Sequence, residues 1–482
     1  KMKKRLLSLL FAAVMLAGLL AGCGKNGEET SADPTKAPVE EGKKEEKKEG
    51  SNPAEDTKEP AQADEGKVLN IYCWNTEFQD RVKAYFPSYT DNGDGTGKVG
   101  DVAVNWVITP NQDNAYQNAL DAALLAQKDA AADDKVDLFL IEADYALKYV
   151  NTDYAMDVKE IGLTQEDMKD QYQYTKDIVT DSNGVIRGTT WQATPGLFAY
   201  RRSIAKDVLG TDDPVEVQKK ISNWDDFNAV AGEMKAKDYT MLSGYDDAYR
   251  TFSNNVSGPW VQNGKVVVDE SLMKWVDQTK EFTDKAYNNK TSLWSDGWAK
   301  DQGPDGKTFG FFYSTWGINF TLMGYSLADS NAEAAVGNGI FGDWAVCEGP
   351  APFYWGGTWI CAASGTDNPS LVKDIMYTLT CNAETMKKIT METQDYTNNQ
   401  KAMEEIANSD FKSEFLGGQN HIALFAAAAP KIDMSNISPY DQGCNEEFQS
   451  AFKDYFDGNV TKDEALQNFY DNIIVKYPEL TH

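Results

Sequence analysis

The residues best suited to chemistry in this chain are acids set beside aromatic rings at the ends of short apolar runs. Val68 to Cys73 leads into Trp74 and Glu77, and Val136 to Ile141 leads into Glu142-Ala143-Asp144-Tyr145. Carboxylates take hydrogen bonds from hydroxyl or amine groups, while flat rings cover apolar C–H faces or attract cations. Trp294-Ser295-Asp296-Gly297-Trp298 and Tyr354-Trp355-Gly356-Gly357-Thr358-Trp359 add tryptophans in loop-like sequence, where both rings of a pair cannot easily enter one core. Catalytic apparatus is scarce. The histidines are His421 and His482, so a Ser–His–Asp or Cys–His arrangement depends on His421 and a histidine-rich metal site is excluded. GxSxG, Walker A and GxGxxG contexts are missing. The Asp91-Asn92-Gly93-Asp94-Gly95-Thr96-Gly97 loop lacks alternating acids and a closing glutamate, so it reads as a turn rather than a calcium loop. No metal and no cofactor is expected.

The elements around these residues follow from pattern. Tyr116 to Gln127 has helical periodicity, Val102 to Ile108 reads as a strand, and the spacing of Phe78, Val82, Tyr85 and Phe86 predicts a helix. Strand and helix therefore alternate, the mark of parallel βαβ units, in which ligands sit beyond the carboxyl ends of strands. Trp74 to Glu77 and Glu142 to Tyr145 occupy such ends. Trp106, Trp224 and Trp275 fall on strand or helix faces and are expected in the core.

Before this head come two segments of different character. Lys1, Lys3, Lys4 and Arg5 precede the apolar run Leu6 to Leu20, which is about 15 residues, the size of a signal-peptide core rather than a membrane span. It ends in Leu20-Ala21-Gly22-Cys23, which resembles a bacterial lipobox. That resemblance implies cleavage after residue 22 and a diacylglyceryl group on Cys23, whose two chains anchor firmly. From 23 to 66 the chain is charged and nearly free of apolar side chains, as in Glu40-Glu41-Gly42-Lys43-Lys44-Glu45, and is expected to be a disordered tether. The net charge of the whole is −29. Roughly −27 of that falls on the head, which argues against nucleic acid as a partner. The five cysteines beyond Cys23 show no metal spacing and read as mostly free thiols, a single disulfide being the alternative.

Several motifs of the head occur in a telling order. Gly184 to Trp191 runs into Gln192-Ala193-Thr194-Pro195-Gly196-Leu197-Phe198-Ala199-Tyr200-Arg201-Arg202, followed by Asn223-Trp224-Asp225-Asp226-Phe227. Phe309 to Gly317, with Trp316, comes next, then Gly342 to Pro350, the Gly356-Gly357 pair, and Gly458-Asn459-Val460-Thr461-Lys462-Asp463-Glu464-Ala465-Leu466. This series resembles the family 1 extracellular solute-binding proteins of ABC transporters, the maltose-binding-protein-like group, over essentially all of 67–482. Arg187 and the Arg201-Arg202 pair depart from the family pattern; the two arginines are expected to be solvated or paired with local acids.

The resemblance implies an α/β, two-lobed periplasmic-binding-protein-like fold of type II, each lobe a mostly parallel sheet flanked by helices. It implies an N-terminal lobe of 67–192 plus 350–395 and a C-terminal lobe of 193–349 plus 396–482. Crossings fall near 191–196, 345–352 and 394–400. By position it implies Trp316 as the stacking ring, followed by Trp355 or Trp359, with Tyr249 as a further aromatic and Asp144 as a hydroxyl-binding carboxylate. Asp247, Arg250, Glu142, Tyr145, Trp74, Glu77 and Trp191 complete the expected wall. The implied function is a non-enzymatic, monomeric, lipid-anchored receptor on the outer face of the cell membrane. It passes a carbohydrate, of several rings given the number of aromatics, to ABC permease subunits. Two other readings stay open. Paired carboxylates also suit a glycoside hydrolase, and an acidic aromatic cleft also suits a polyamine or another organic cation.

Overall fold

The computed structural model describes residues 66–482. The apolar run, Cys23 and the tether up to residue 65 lie outside the described residues. The head begins with β1 (Val68–Cys73), α1 (Glu77–Tyr85), β2 (Tyr89–Asp91), β3 (Gly97–Val99), β4 (Val102–Ile108), α2 (Ala115–Ala126) and β5 (Leu138–Glu142). Phe78, Val82 and Tyr85 give α1 its buried stripe, and Glu77 and Asp80 place acids in its first turn, where the helix dipole favours them. The Asp91–Gly97 segment is the turn joining β2 to β3.

Seven strands form the first sheet in the order β2-β3-β4-β1-β5-β12-β6, with β6 at Thr189–Thr190 and β12 at Thr358–Ala362. Here β1 pairs in parallel with β4 and β5, while β12 runs antiparallel to β5 and β6. Both faces of β5 are covered, so its residues alternate between two cores rather than between core and water. Leu138 and Leu140 join the core beneath α1 and the helix Pro369–Thr380; Phe139 and Ile141 join the core that continues into the second sheet.

The second sheet holds β7 (Gly196–Arg201) between β10 (Gly310–Ser314) and β11 (Trp344–Cys347). The small hairpin β8 (Val261–Gln262) and β9 (Lys265–Val266) lies apart. The fold class is the expected α/β one, with a mostly parallel central sheet. The three strands of the second sheet differ in pairing antiparallel. One reason is connectivity: β7 carries the chain into this sheet and β11 carries it back, so these neighbours run in opposite directions. Single parallel bridges, Thr240 with Thr308 and Gly244 with Thr291, extend it.

Three segments pass between the sheets and lie against one another. The first joins β6 to β7, the second joins β11 to β12, and the third follows the helix Ala383–Thr393. Gln192 bridges Thr397, Pro195 bridges Tyr354, and the Asn398 N–H donates to the Trp191 carbonyl at 2.8 Å. The five described cysteines are free; all but the half-buried Cys381 are buried. Burial pushes the Cys73, Cys347 and Cys444 thiols up to about 12, which leaves them inert.

Candidate binding site

The carboxyl end of β5 makes the acidic corner of the site. Glu142 ends the strand, and its Oε2 accepts the Asp144 N–H at 2.9 Å. Asp144 then meets Arg250, on the short helix α3 (Tyr249–Ser253), in a two-pronged pair of 2.6 and 2.5 Å. Planar guanidinium and carboxylate match edge to edge, and both stay about one-fifth exposed, at 20% and 23%. Burial, reinforced by the Asp144 charge, pushes Glu142 up to about 8. Burial also lifts Asp441 to about 7, with Asp144 adding to the shift. Three carboxyl groups thus share one guanidinium.

An aromatic wall adjoins this corner. Trp316 lies two residues beyond β10, half-buried, and its Nε1 donates to the Trp355 carbonyl at 3.0 Å. The Trp316 and Trp355 rings meet edge to face at 5.2 Å, and Trp355 stacks on Tyr313 at 6.2 Å. Trp294 lies nearly parallel to Trp316, at 17° and 6.2 Å. The glycine pair joins wall to corner. A methyl group on Gly356 would sit 3.4 Å from both Glu142 Oε1 and Trp316 Nε1. Gly357 has φ +115°, and a Cβ there would lie 2.9 Å from the Trp359 ring. Only glycine fits.

The remaining expected residues separate into three groups. Trp74 is half-buried and edge-on to Tyr116 and Tyr145, at 5.4 and 6.5 Å; Tyr145 is buried with its hydroxyl unpartnered. Glu77, at the start of α1, faces the crossings, where Gln192 Nε2 donates to Glu77 Oε1 and to Asp395 Oδ2, each at 3.2 Å. Burial pushes Glu77 up to about 7, against the pull of Arg81. The third group offers no open face in this conformation. Tyr249 is buried edge-on against Trp275 and donates to Asn445 at 2.6 Å. Trp359 is buried and donates to the Thr175 carbonyl at 2.8 Å; Trp191 is buried on Phe78, 5.6 Å away. Asp247, also buried, accepts the Ser243 and Gly244 N–H groups and the Trp298 indole N–H at 2.9 Å. It holds Trp298, and through Trp298 the aromatic wall.

Trp275 is in the core as expected, while Trp106 and Trp224 are only partly buried. Arg201 pairs with Asp343 at 2.9 Å. Arg202 instead donates to three backbone carbonyls, of Trp344, Asp212 and Leu416. His421 is buried at a helix start, and burial lowers it to about 4, which keeps it neutral. Asp441 and Phe320 carry no local sequence signal and come to the site only through the fold, while Tyr354 opens the aromatic loop that runs to Trp359. Trp294 stands in a tryptophan-rich loop, yet its spacing does not say which ring faces outward.

A cavity of about 40 Å³ is lined by Asp144, Arg250, Ser253, Tyr354 and Asn445. That is room for water rather than for a sugar ring. A larger cavity, about 560 Å³, lies between the Tyr172–Asp177 segment and the Ala429–Ser435 segment.

The raised carboxyl groups make a pH prediction. Glu77, Glu142 and Asp441 hold protons more tightly folded than unfolded, so their contribution is complete below pH 4 and is lost as pH rises through about 7 to 8. The melting temperature of the unliganded head should therefore fall between pH 5.5 and 8.5, and Glu142→Gln should flatten that slope. A melting temperature that rises across this window would contradict the assignment.

Residues 95–414 match the family described as bacterial extracellular solute-binding protein. No curated protein matches the sequence. Among solved structures, an extracellular solute-binding protein of family 1 is similar at 18% identity and TM-score 0.65, covering 84% of this chain and 99% of its own. A binding protein associated with an ABC transporter of B. animalis subsp. lactis, in complex with β-1,6-galactobiose, has 18% identity and TM-score 0.63, over 86% of this chain and 99% of its own. The galacto-N-biose-/lacto-N-biose I-binding protein of Bifidobacterium longum, with lacto-N-biose, has 13% identity and TM-score 0.62, over 88% of this chain and 100% of its own.

Proposed function

This chain belongs to the bacterial extracellular solute-binding proteins, and on that premise we propose that its head captures a carbohydrate between two lobes and delivers it to an ABC importer. Proteins of this family bind solutes and are not enzymes, so the paired carboxyl groups serve recognition rather than glycoside hydrolysis. We take the lobes as 67–192 plus 350–395 and 193–349 plus 396–482, hinged at the three crossings.

One observation carries the carbohydrate reading: the acidic corner and the aromatic wall are continuous. Trp316 offers ring surface for sugar C–H faces, with buried Trp355 behind it, and Asp144, Glu142 and Arg250 stand at its edge for hydroxyl groups. A Glu142 that keeps its proton near neutral pH both donates and accepts. Galactobiose and lacto-N-biose in the similar folds support the same class. The Asp144–Arg250 pair fills the corner, so a sugar enters by parting it, and closure is a population shift toward a state in which both lobes touch the ligand.

Once Glu142 and Asp441 lose their protons, above about pH 8, the corner holds three carboxylates to one guanidinium, which favours a second reading, an organic cation. Calorimetry and thermal shift decide between the two. A glycan at hundredfold to thousandfold excess over its Kd should stabilise the head by about 3–4 kcal/mol, with no response to spermidine. A response to spermidine and to no glycan sinks the carbohydrate assignment.

The site of anchoring we propose is Cys23. Cells fed labelled palmitate should yield labelled protein, and Cys23→Ser should yield unlabelled protein in the medium. Label retained by Cys23→Ser would place the lipid elsewhere.

A further inference from the structure

We infer that Trp294 and Phe320 form an outer sugar subsite beside Trp316, which makes the site select chains of sugars over single rings. This inference rests on the carbohydrate reading above.

Trp294 is held in a conformation that its own chemistry disfavours. Its φ is +66°, in the left-handed region, where the Cβ of an L-residue crowds the following carbonyl. The local bonds impose this: the Leu293 N–H donates to Asp246, and the Ser295 hydroxyl caps the next helix at Trp298. Despite that strain the indole is 50% exposed, leaving apolar surface in water that an inward rotation would hide. The fold thus holds half of a strained tryptophan in water beside Trp316.

Phe320 repeats the pattern. It lies in a single π-helical turn, Ile318–Leu322, directly after Trp316, an irregularity found often at functional sites. Its ring is 49% exposed and stands edge-on to Trp316 at 6.5 Å. Among the described residues the exposed large aromatics are Trp294, Phe320 and Tyr377, and the first two flank Trp316.

The geometry suits a chain of rings. Trp294 and Trp316 are nearly parallel, at 17°, with centres 6.2 Å apart, so the two rings are neighbours along one wall. Trp294 is also rigid, resting on Trp298 at 5.2 Å and Trp355 at 5.9 Å, with Trp298 tied to buried Asp247. A single sugar on Trp316 leaves Trp294 wet. A second or third ring covers it, and the ordering cost has already been met by the fold.

The test compares chain-length preference. Galacto-, gluco- and xylo-oligosaccharides of one to six rings are titrated by calorimetry into wild-type protein, Trp294→Asn and Phe320→Ser. Asparagine tolerates the left-handed backbone, so the melting temperature of Trp294→Asn should stay close to that of wild type. Wild type should bind its best chain well above the matching single ring. Each variant should lose about tenfold more for the chain than for the single ring. Variants that keep the wild-type chain-length preference overturn the outer subsite while leaving the carbohydrate reading standing. A wild type that binds none of these glycans overturns that reading, and the subsite with it.

Discussion

Replacing Trp316 with alanine should weaken glycan capture by about 30- to 1,000-fold, or about 2–4 kcal/mol, with little change in folding. The ring is half-buried at the centre of the wall, in contact with Trp355, Trp294 and Phe320, and its Nε1 edge faces Gly356. Truncation removes the main stacking surface and also frees the Trp355 carbonyl, which accepts the indole N–H. Trp316→Phe keeps a flat ring but loses that donor, so its affinity should fall between the other two. Calorimetry with the best-bound glycan measures both variants, and near-ultraviolet circular dichroism checks the wall. Undiminished affinity in Trp316→Ala would remove this residue from the site.

The largest effect on stability is expected at Gln192 rather than in the wall. Its buried amide joins all three crossings: Nε2 donates to Glu77 and Asp395, and Oε1 accepts the Thr358 N–H at 3.0 Å. Gln192→Leu keeps most of the volume but leaves a buried N–H and two neighbouring carboxyl groups without their shared partner. At 1–3 kcal/mol for each stranded group, a loss of about 3 kcal/mol is expected. The sign of the pH effect follows from Glu77, which holds its proton up to about pH 7. An ionised Glu77 needs the amide more than a protonated one, so the loss should be greater at pH 8 than at pH 5.5. Urea unfolding at the two pH values reads this directly. A variant as stable as wild type at pH 8 would show that the crossings do not depend on this amide.

Much of the molecule was legible in its residues. Val68 to Cys73, Val102 to Ile108 and the run ending at Ile141 read as strands because their apolar character ends sharply at polar turns, and all three are strands. Glu142 and Asp144 were legible as site candidates for a related reason: the ends of parallel strands open toward a ligand face. The order of the motifs from 184 to 466 carried the family, and the chain has that family's fold. The antiparallel second sheet was not legible, since β7, β10 and β11 are far apart in sequence and their pairing is decided by where the crossings deliver them.

The aromatic residues show where local reasoning ends. A tryptophan at a strand end and one in a loop look alike in sequence, and rotation about two side-chain bonds decides whether the ring meets core or water. Trp359 turns inward to the Thr175 carbonyl, and Tyr249 turns inward to Asn445. Trp294, fixed by its left-handed backbone, turns outward.

The sequence by itself determined that acids and rings gather at strand ends and that the motifs follow the order of a two-sheet solute binder. Periodicity, turn residues and motif order are local properties, so they survive without coordinates. Only the tertiary structure decided that Asp144 faces Arg250, 106 residues away, and that Gly356 brings Glu142 to Trp316. It also decided that one amide, Gln192, ties the crossings together. Those pairings depend on how distant segments pack, and packing distance is not written in sequence spacing.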